Sequence, residues 1–163
     1  MWGGERRSVS ISTGKERLMS EENRKAIRIS VRNLVEFVLR SGDIDNRRSG
    51  NAQKAAMLAG GRIHRTIQKR MGSGYRAEVP LKHEVQDEEQ EITLLVEGRA
   101  DGIFTENGIP VIDEIKGMYT DISRLEEPIE VHLAQAMCYG YFYCCDKALD
   151  GIRLQMTYCN LET

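Results

Sequence analysis

Gly98-Arg99-Ala100-Asp101-Gly102 places an acid at a glycine-rich strand end, and Asp113-Glu114-Ile115-Lys116 follows at a short remove. Two carboxylates and one ammonium held together on rigid strands suit a divalent cation and the preparation of a water for attack on phosphorus. Such chemistry needs oxygen ligands converging from different elements, with a positive charge fixed beside them. Glu-x-Lys alone is common, and the plain alternative is two ordinary strands carrying solvent-facing acids and a surface lysine. The elements around these residues must therefore bring them to one place.

Strand patterning runs from Tyr75 to Val85, from Ile92 to Phe104 and from Ile109 to Ile115, with a polar turn at Gln86–Gln90. The last two runs are joined by Glu106-Asn107-Gly108, a strong hairpin signal. A two-residue loop there sets Glu106 against Ile109, Asp101 against Glu114 and Arg99 against Lys116. Opposed residues lie about 5 Å apart at Cβ, so the two acids repel unless a cation sits between them. Asp113 then faces the other side and is not a ligand. Pro110 cannot donate to the ladder, and a wider loop would pair Asp101 with Asp113 instead.

Helices are expected on either side of this meander. Ser30 can cap a helix whose Val31, Leu34, Val35, Val38 and Leu39 recur at helical spacing, stopped by Ser41-Gly42-Asp43. A second, about Asn51 to Met71, has a narrow apolar stripe of Ala55, Ala56, Ala59, Ile63 and Ile67, and Gly72-Ser73-Gly74 ends it. Gly60-Gly61 inside it signals close packing or a kink. Pro128 supplies a first-turn residue for a third helix running to about Ala148, and Asp150-Gly151 leads into a last strand, Ile152 to Leu161. A strand reached only through a long helix is expected to lie parallel beside the meander. The expected fold class is α/β: a mixed central sheet, three antiparallel strands plus one more, flanked by helices.

The chain has 163 residues, of which 40% are hydrophobic and 29% charged, a globular balance. We expect one domain over residues 23–163 behind a loose tail at 1–22, with Met19 an alternative start. No run reaches the roughly 18 apolar residues of a membrane span, and Met1–Leu18 lacks a secretory apolar core, which points to the cytoplasm and no membrane partner. A net charge of −2 counts mildly against non-specific nucleic-acid binding. Basic residues do concentrate at Arg47, Arg48, Lys54, Arg62, Arg65, Lys69 and Arg70, as a solvated helix face or as phosphate contacts. Cys138, Cys144, Cys145 and Cys159 show no C-x-x-C pattern, and reduced thiols are expected.

Gly98-Arg99-Ala100-Asp101, Asp113-Glu114-Ile115-Lys116 and Gln135-Ala136-Met137-Cys138-Tyr139 together resemble the PD-(D/E)XK nuclease superfamily. The Gln-x-x-x-Tyr element, with His64 in the preceding helix, makes the chain similar to the RecB-type and CRISPR-associated exonuclease branch, from about His64 onward. The resemblance implies a restriction-endonuclease-like core with Asp101 and Glu114 as metal-binding carboxylates and His64 approaching the same metal. A backbone carbonyl near Ile115 would complete the set, and Lys116 would orient or activate the water. Glu78 takes the place of an accessory acid, while Gln135 and Tyr139, one helical turn apart, are associated with DNA contact and site organisation. Arg62, Arg65 and Lys69 would then supply phosphate contacts.

The implied cofactor is magnesium or manganese, and the implied partner DNA, as single strands or duplex ends. A helicase of recombination or repair, fused or associated, is the further expected partner, with this chain a piece of a longer polypeptide. Cluster-bearing relatives place one cysteine ahead of the core and three behind; here none precedes it, so no iron–sulfur cluster is expected. Plainer roles stand beside these. His64 can be a structural histidine, Glu78 an exposed edge acid, and Gln135 and Tyr139 part of a packing surface with His132 and Phe142. Tyr139, Tyr141, Phe142 and Tyr143 read as helix-to-sheet core rather than base platforms. The rival function is a catalytically silent module that docks nucleic acid or a partner.

Overall fold

A computed structural model describes residues 24–39 and 50–162. In chain order these form β1 (Lys25–Ser30), α1 (Val31–Val38), α2 (Gly50–Arg70), β2 (Arg76–Asp87), β3 (Ile92–Glu106), β4 (Ile109–Met118), a 3-10 turn (Ile122–Arg124), α3 (Glu130–Lys147) and β5 (Arg153–Asn160). The expected tail, Met19, the Ser41-Gly42-Asp43 stop, Arg47 and Arg48 lie outside the described residues. Among those described, no helix is long and apolar enough to cross a membrane.

The protein is α/β, with a mixed five-stranded sheet flanked by helices. β5 runs parallel to β4, as expected of a strand reached through a helix. β1 was not expected: the sequence pattern shows a helix from Ser30 onward, yet a six-residue strand precedes it. Its Ile27 and Ile29 alternate with Ala26, Arg28 and Ser30, a pattern too short to stand out. Ser30 does cap α1, its hydroxyl accepting from the Asn33 amide at 3.1 Å.

A strand has two edges, and β3 has three partners. β2 pairs with β3 from Ile92 to Ile103. β1 pairs with Ile92–Glu97 in parallel, and β4 with Gly102–Glu106 antiparallel. Both overlap the stretch already held by β2, so β1 and β4 must share the opposite edge in tandem. Between them, Gly98–Asp101 has no partner on that edge.

The hairpin keeps the two-residue register, Glu106 against Ile109 and Thr105 against Pro110, so Pro110 causes no slip. Asn107 and Gly108 both have positive φ, 52° and 78°, as a type I′ turn demands. Pairing nevertheless stops at Gly102↔Asp113. Two expected pairs are therefore corrected: Arg99 pairs with Pro80 and Lys116 with Tyr158, while Asp101 and Glu114 are not ladder partners. β4 leaves β3 after Asp113 and continues beside β5, opening a fork.

The ladder between β2 and β3 also skips one pair, Glu78 and Asp101, and Glu78 has φ 53°. Alternation breaks at this point. Ala100 and Ile103 belong to the same core cluster, whereas a Cβ on Gly102 would lie 1.8 Å from the Tyr75 ring. In an unbroken strand Ala100 and Gly102 would share a face. At this break the Asp101 carboxylate accepts from the Ile115 amide of β4.

α3 covers one face. Its Tyr139 and Phe142 join Val96, Ala100, Ile103 and Ile112 from the sheet and Val31 and Val35 from α1 in the core. Tyr141, by contrast, is exposed, which corrects its assignment to the core. Gly98 lets this helix come close, since a Cβ there would sit 2.7 Å from the Tyr139 hydroxyl. α3 also starts later than expected, at Glu130, with Ile129 as its N-cap and no side-chain cap. Pro128 therefore stands outside the helix, and the Ile129 amide donates instead to the Tyr158 hydroxyl at 3.0 Å.

Candidate metal centre

The fork gathers side chains from five elements, α2, β2, β3, β4 and α3. Asp101 reaches across it: its Oδ2 accepts from the Ile115 amide at 2.7 Å, so one carboxylate oxygen bridges strands that no longer pair. Its Oδ1 lies 3.2 Å from Nδ1 of His64, which α2 carries over the opening. That hydrogen bond raises the His64 pKa, against the opposing effect of burial. Gln68, one turn further along α2, donates to Glu78 Oε1 at 2.9 Å and to the Asp101 carbonyl at 3.0 Å.

On β4, Glu114 is 3% exposed and Lys116 lies beside it, with Nζ 2.8 Å from Glu114 Oε1. Nζ also donates to Gln135 Oε1 at 2.7 Å. The second Glu114 oxygen, Oε2, is buried without a hydrogen-bond partner. Burial foremost, and then the Asp101 charge, push the Glu114 pKa up to about 7, with Lys116 pulling the other way. An acid left desolvated beside another acid is costly unless something positive joins them.

Most of the expected residues thus meet at one place: His64, Glu78, Asp101, Glu114, Lys116, Gln135 and Tyr139. Their grouping differs from expectation. The ligand atoms that lie within 4.8 Å of one another belong to His64, Glu78 and Asp101, with Glu78 in the place expected of Glu114. Glu114 is turned toward Lys116. At Ile115 it is the backbone amide that is engaged, by Asp101. Gln135 and Tyr139 are both buried, Gln135 against the Lys116 ammonium and Tyr139 over Gly98. The Tyr139 pKa is raised, by burial first and then by Glu114 and Asp101.

Arg62, Arg65 and Lys69 do not line this cluster. They are exposed, and at 100° per residue they centre about 130° around α2 from His64. A closer cation is Arg99, whose Nη1 is 3.9 Å from Glu78 Oε2. Arg99 and Gln68 were both missed in the sequence. Gln68 had a signal, since it lies four residues after His64 and shares its helix face.

Two carboxylates and an imidazole within mutual reach form a donor set suited to magnesium or manganese, manganese accepting the nitrogen more readily. The partnerless Glu114 oxygen close by fits the same demand for positive charge. No family model matches the chain, and no curated protein matches it. The chain is similar to a solved structure described as "Crystal structure of SSO0001", with a TM-score of 0.58 and 19% identity, over 91% of this chain and 71% of that one. At that identity the likeness establishes the shared α/β fold.

Proposed function

We propose that the protein is a divalent-metal-dependent nuclease of the PD-(D/E)XK type that hydrolyses phosphodiester bonds in DNA. The observation that carries this reading is the meeting of Asp101 and Lys116 with a buried Glu114 whose Oε2 has no partner. Asp101, His64 and Glu78 would hold the cation, with Glu114 adding negative charge beside them. When bound, the cation supplies charge neutralisation at the phosphate and favours ionisation of a water. Lys116, fixed between Glu114 and Gln135, keeps an ammonium where it orients the attacking water and stabilises charge developing at phosphorus. Gln135 and Tyr139 hold α3 and the fork in register. Action on single strands or ends, alongside a helicase in the cytoplasm, completes the proposal. The exposed Arg62, Arg65 and Lys69 would give it sequence-independent affinity that falls with salt.

The test is degradation of labelled linear single- and double-stranded DNA beside a circular control, with and without magnesium. The parent should cut linear DNA only with the cation, and Asp101→Ala and Lys116→Ala should each lose at least about a hundredfold in rate. Cleavage that survives both substitutions overturns the reading. Cation-dependent stabilisation with no cleavage by the parent would leave the silent docking module.

A further inference from the structure

Glu78 occupies a backbone conformation that L-residues avoid, with φ 53° near the start of β2. A non-glycine residue held there costs on the order of 1–2 kcal/mol, so something must hold it. The β2–β3 ladder does not do so, because it skips Glu78 and Asp101. The side-chain amide of Gln68 engages both members of that missing pair. Its nitrogen donates to the Glu78 carboxylate at 2.9 Å and to the Asp101 main-chain carbonyl at 3.0 Å. An amide nitrogen has two hydrogens, and both are spent here.

From this arrangement we infer that Gln68 is a positioning residue, aiming the Glu78 carboxylate and the Asp101 backbone so that, with His64, they form one cation site. The inference deepens the proposed function and rests on its cation dependence. His64 and Gln68 are one helical turn apart on α2, so the same turn delivers a ligand and the clamp for two others. Glu78 has its other oxygen 3.9 Å from Arg99, on an exposed and flexible side chain, which cannot fix its direction alone. Outer groups that orient ligands typically carry a factor of about 10 to 100 in metal affinity.

Manganese binding to the full chain, followed by the signal of the free ion, tests this without any DNA. Gln68→Met keeps the stem and removes the amide, and should raise the manganese dissociation constant about tenfold to a hundredfold. Gln68→Asn keeps the amide but falls one methylene short, and should show a similar loss. This second variant separates the clamp from simple packing. In a Glu78→Ala background, which removes the acceptor on that side, Gln68→Met should cost less than it does in the parent, because only the hold on the Asp101 carbonyl is then lost. A Gln68→Met chain that binds manganese within twofold of the parent would overturn the role, as would losses that multiply in the double variant. A parent that binds manganese yet cuts no DNA ends the nuclease proposal while these ratios still decide Gln68. A parent that binds no manganese ends both.

Discussion

Asp113 and Glu114 are neighbours on β4, both acidic and both buried, yet their surroundings are opposite. Asp113 has an exposure of 0% and is saturated: Tyr75 donates from its hydroxyl at 2.8 Å, Thr157 at 2.6 Å and Gln155 at 3.3 Å. Glu114 has one oxygen on Lys116 and the other on nothing. Alternation along the strand sends them to different sides of the sheet. On one side Tyr75, lying over Gly102, closes the acid off; on the other, the fork leaves its partner incomplete. A satisfied buried acid is a structural fastening, and an unsatisfied one marks a place where the fold gives up stability for chemistry.

This contrast predicts opposite responses to removing each charge. The largest effect is expected on the sealed side. Asp113→Ala strips the acceptor from the Tyr75 and Thr157 hydroxyls and leaves a gap among buried side chains. Each orphaned donor costs about 1–3 kcal/mol, so we expect a loss of about 3–4 kcal/mol. In a chain of this size that lowers the melting temperature by roughly 10 °C. A fall of less than 2 °C would mean that Asp113 is no more a fastening than Glu114 is.

Glu114→Gln should act the other way. At pH 8 without divalent cations the carboxylate is ionised although burial and the Asp101 charge disfavour that form. An amide of the same shape removes this penalty while its oxygen can still face Lys116. The melting temperature should rise by a few degrees, a gain of about 1–2 kcal/mol. On the proposed cation site, the same variant should also lose part of the rise in melting temperature that magnesium or manganese gives. A lower melting temperature in cation-free buffer would show that the Lys116 pair outweighs burial.

The sequence made one half of this contrast visible. Asn107-Gly108 determines the hairpin register because few residue pairs accept positive φ at both turn positions, and the register places Asp113 and Glu114 on different faces. The fork was not legible. β4 parts from β3 after Asp113 while β1 pairs only as far as Glu97, so Gly98–Asp101 is left open on that edge, and six residues with two isoleucines give little signal for a strand such as β1. Nor could spacing show that the ladder skips Glu78 and Asp101, which brings Glu78 rather than Glu114 into the tight ligand group. Local pattern specifies elements and turns; the site depends on where strands stop pairing, and that is settled by tertiary packing rather than by local spacing.

The smallest predicted effect concerns the rim of the unsealed side. His132 lies on α3 one turn before Gln135, with Nδ1 3.3 Å from the Tyr158 hydroxyl. That hydroxyl also accepts from the Ile129 amide, which fixes it beside the imidazole. Burial first, and then the charges of Lys116 and Arg32, lower the His132 pKa to about 4. The unfolded chain takes up this proton near pH 6.5, and the folded chain does not until about pH 4. The unfolded state therefore binds more protons in that window, and stability falls as pH drops from 6.5 toward 4. Partial exposure reduces the contribution to about 1 kcal/mol. His132→Gln cannot titrate, so the difference in unfolding free energy between parent and variant should shrink by that amount between pH 7 and pH 4.5. A difference independent of pH would mean that the imidazole reaches solvent when protonated, and that the wall between Lys116 and Tyr158 is looser than the wall around Asp113.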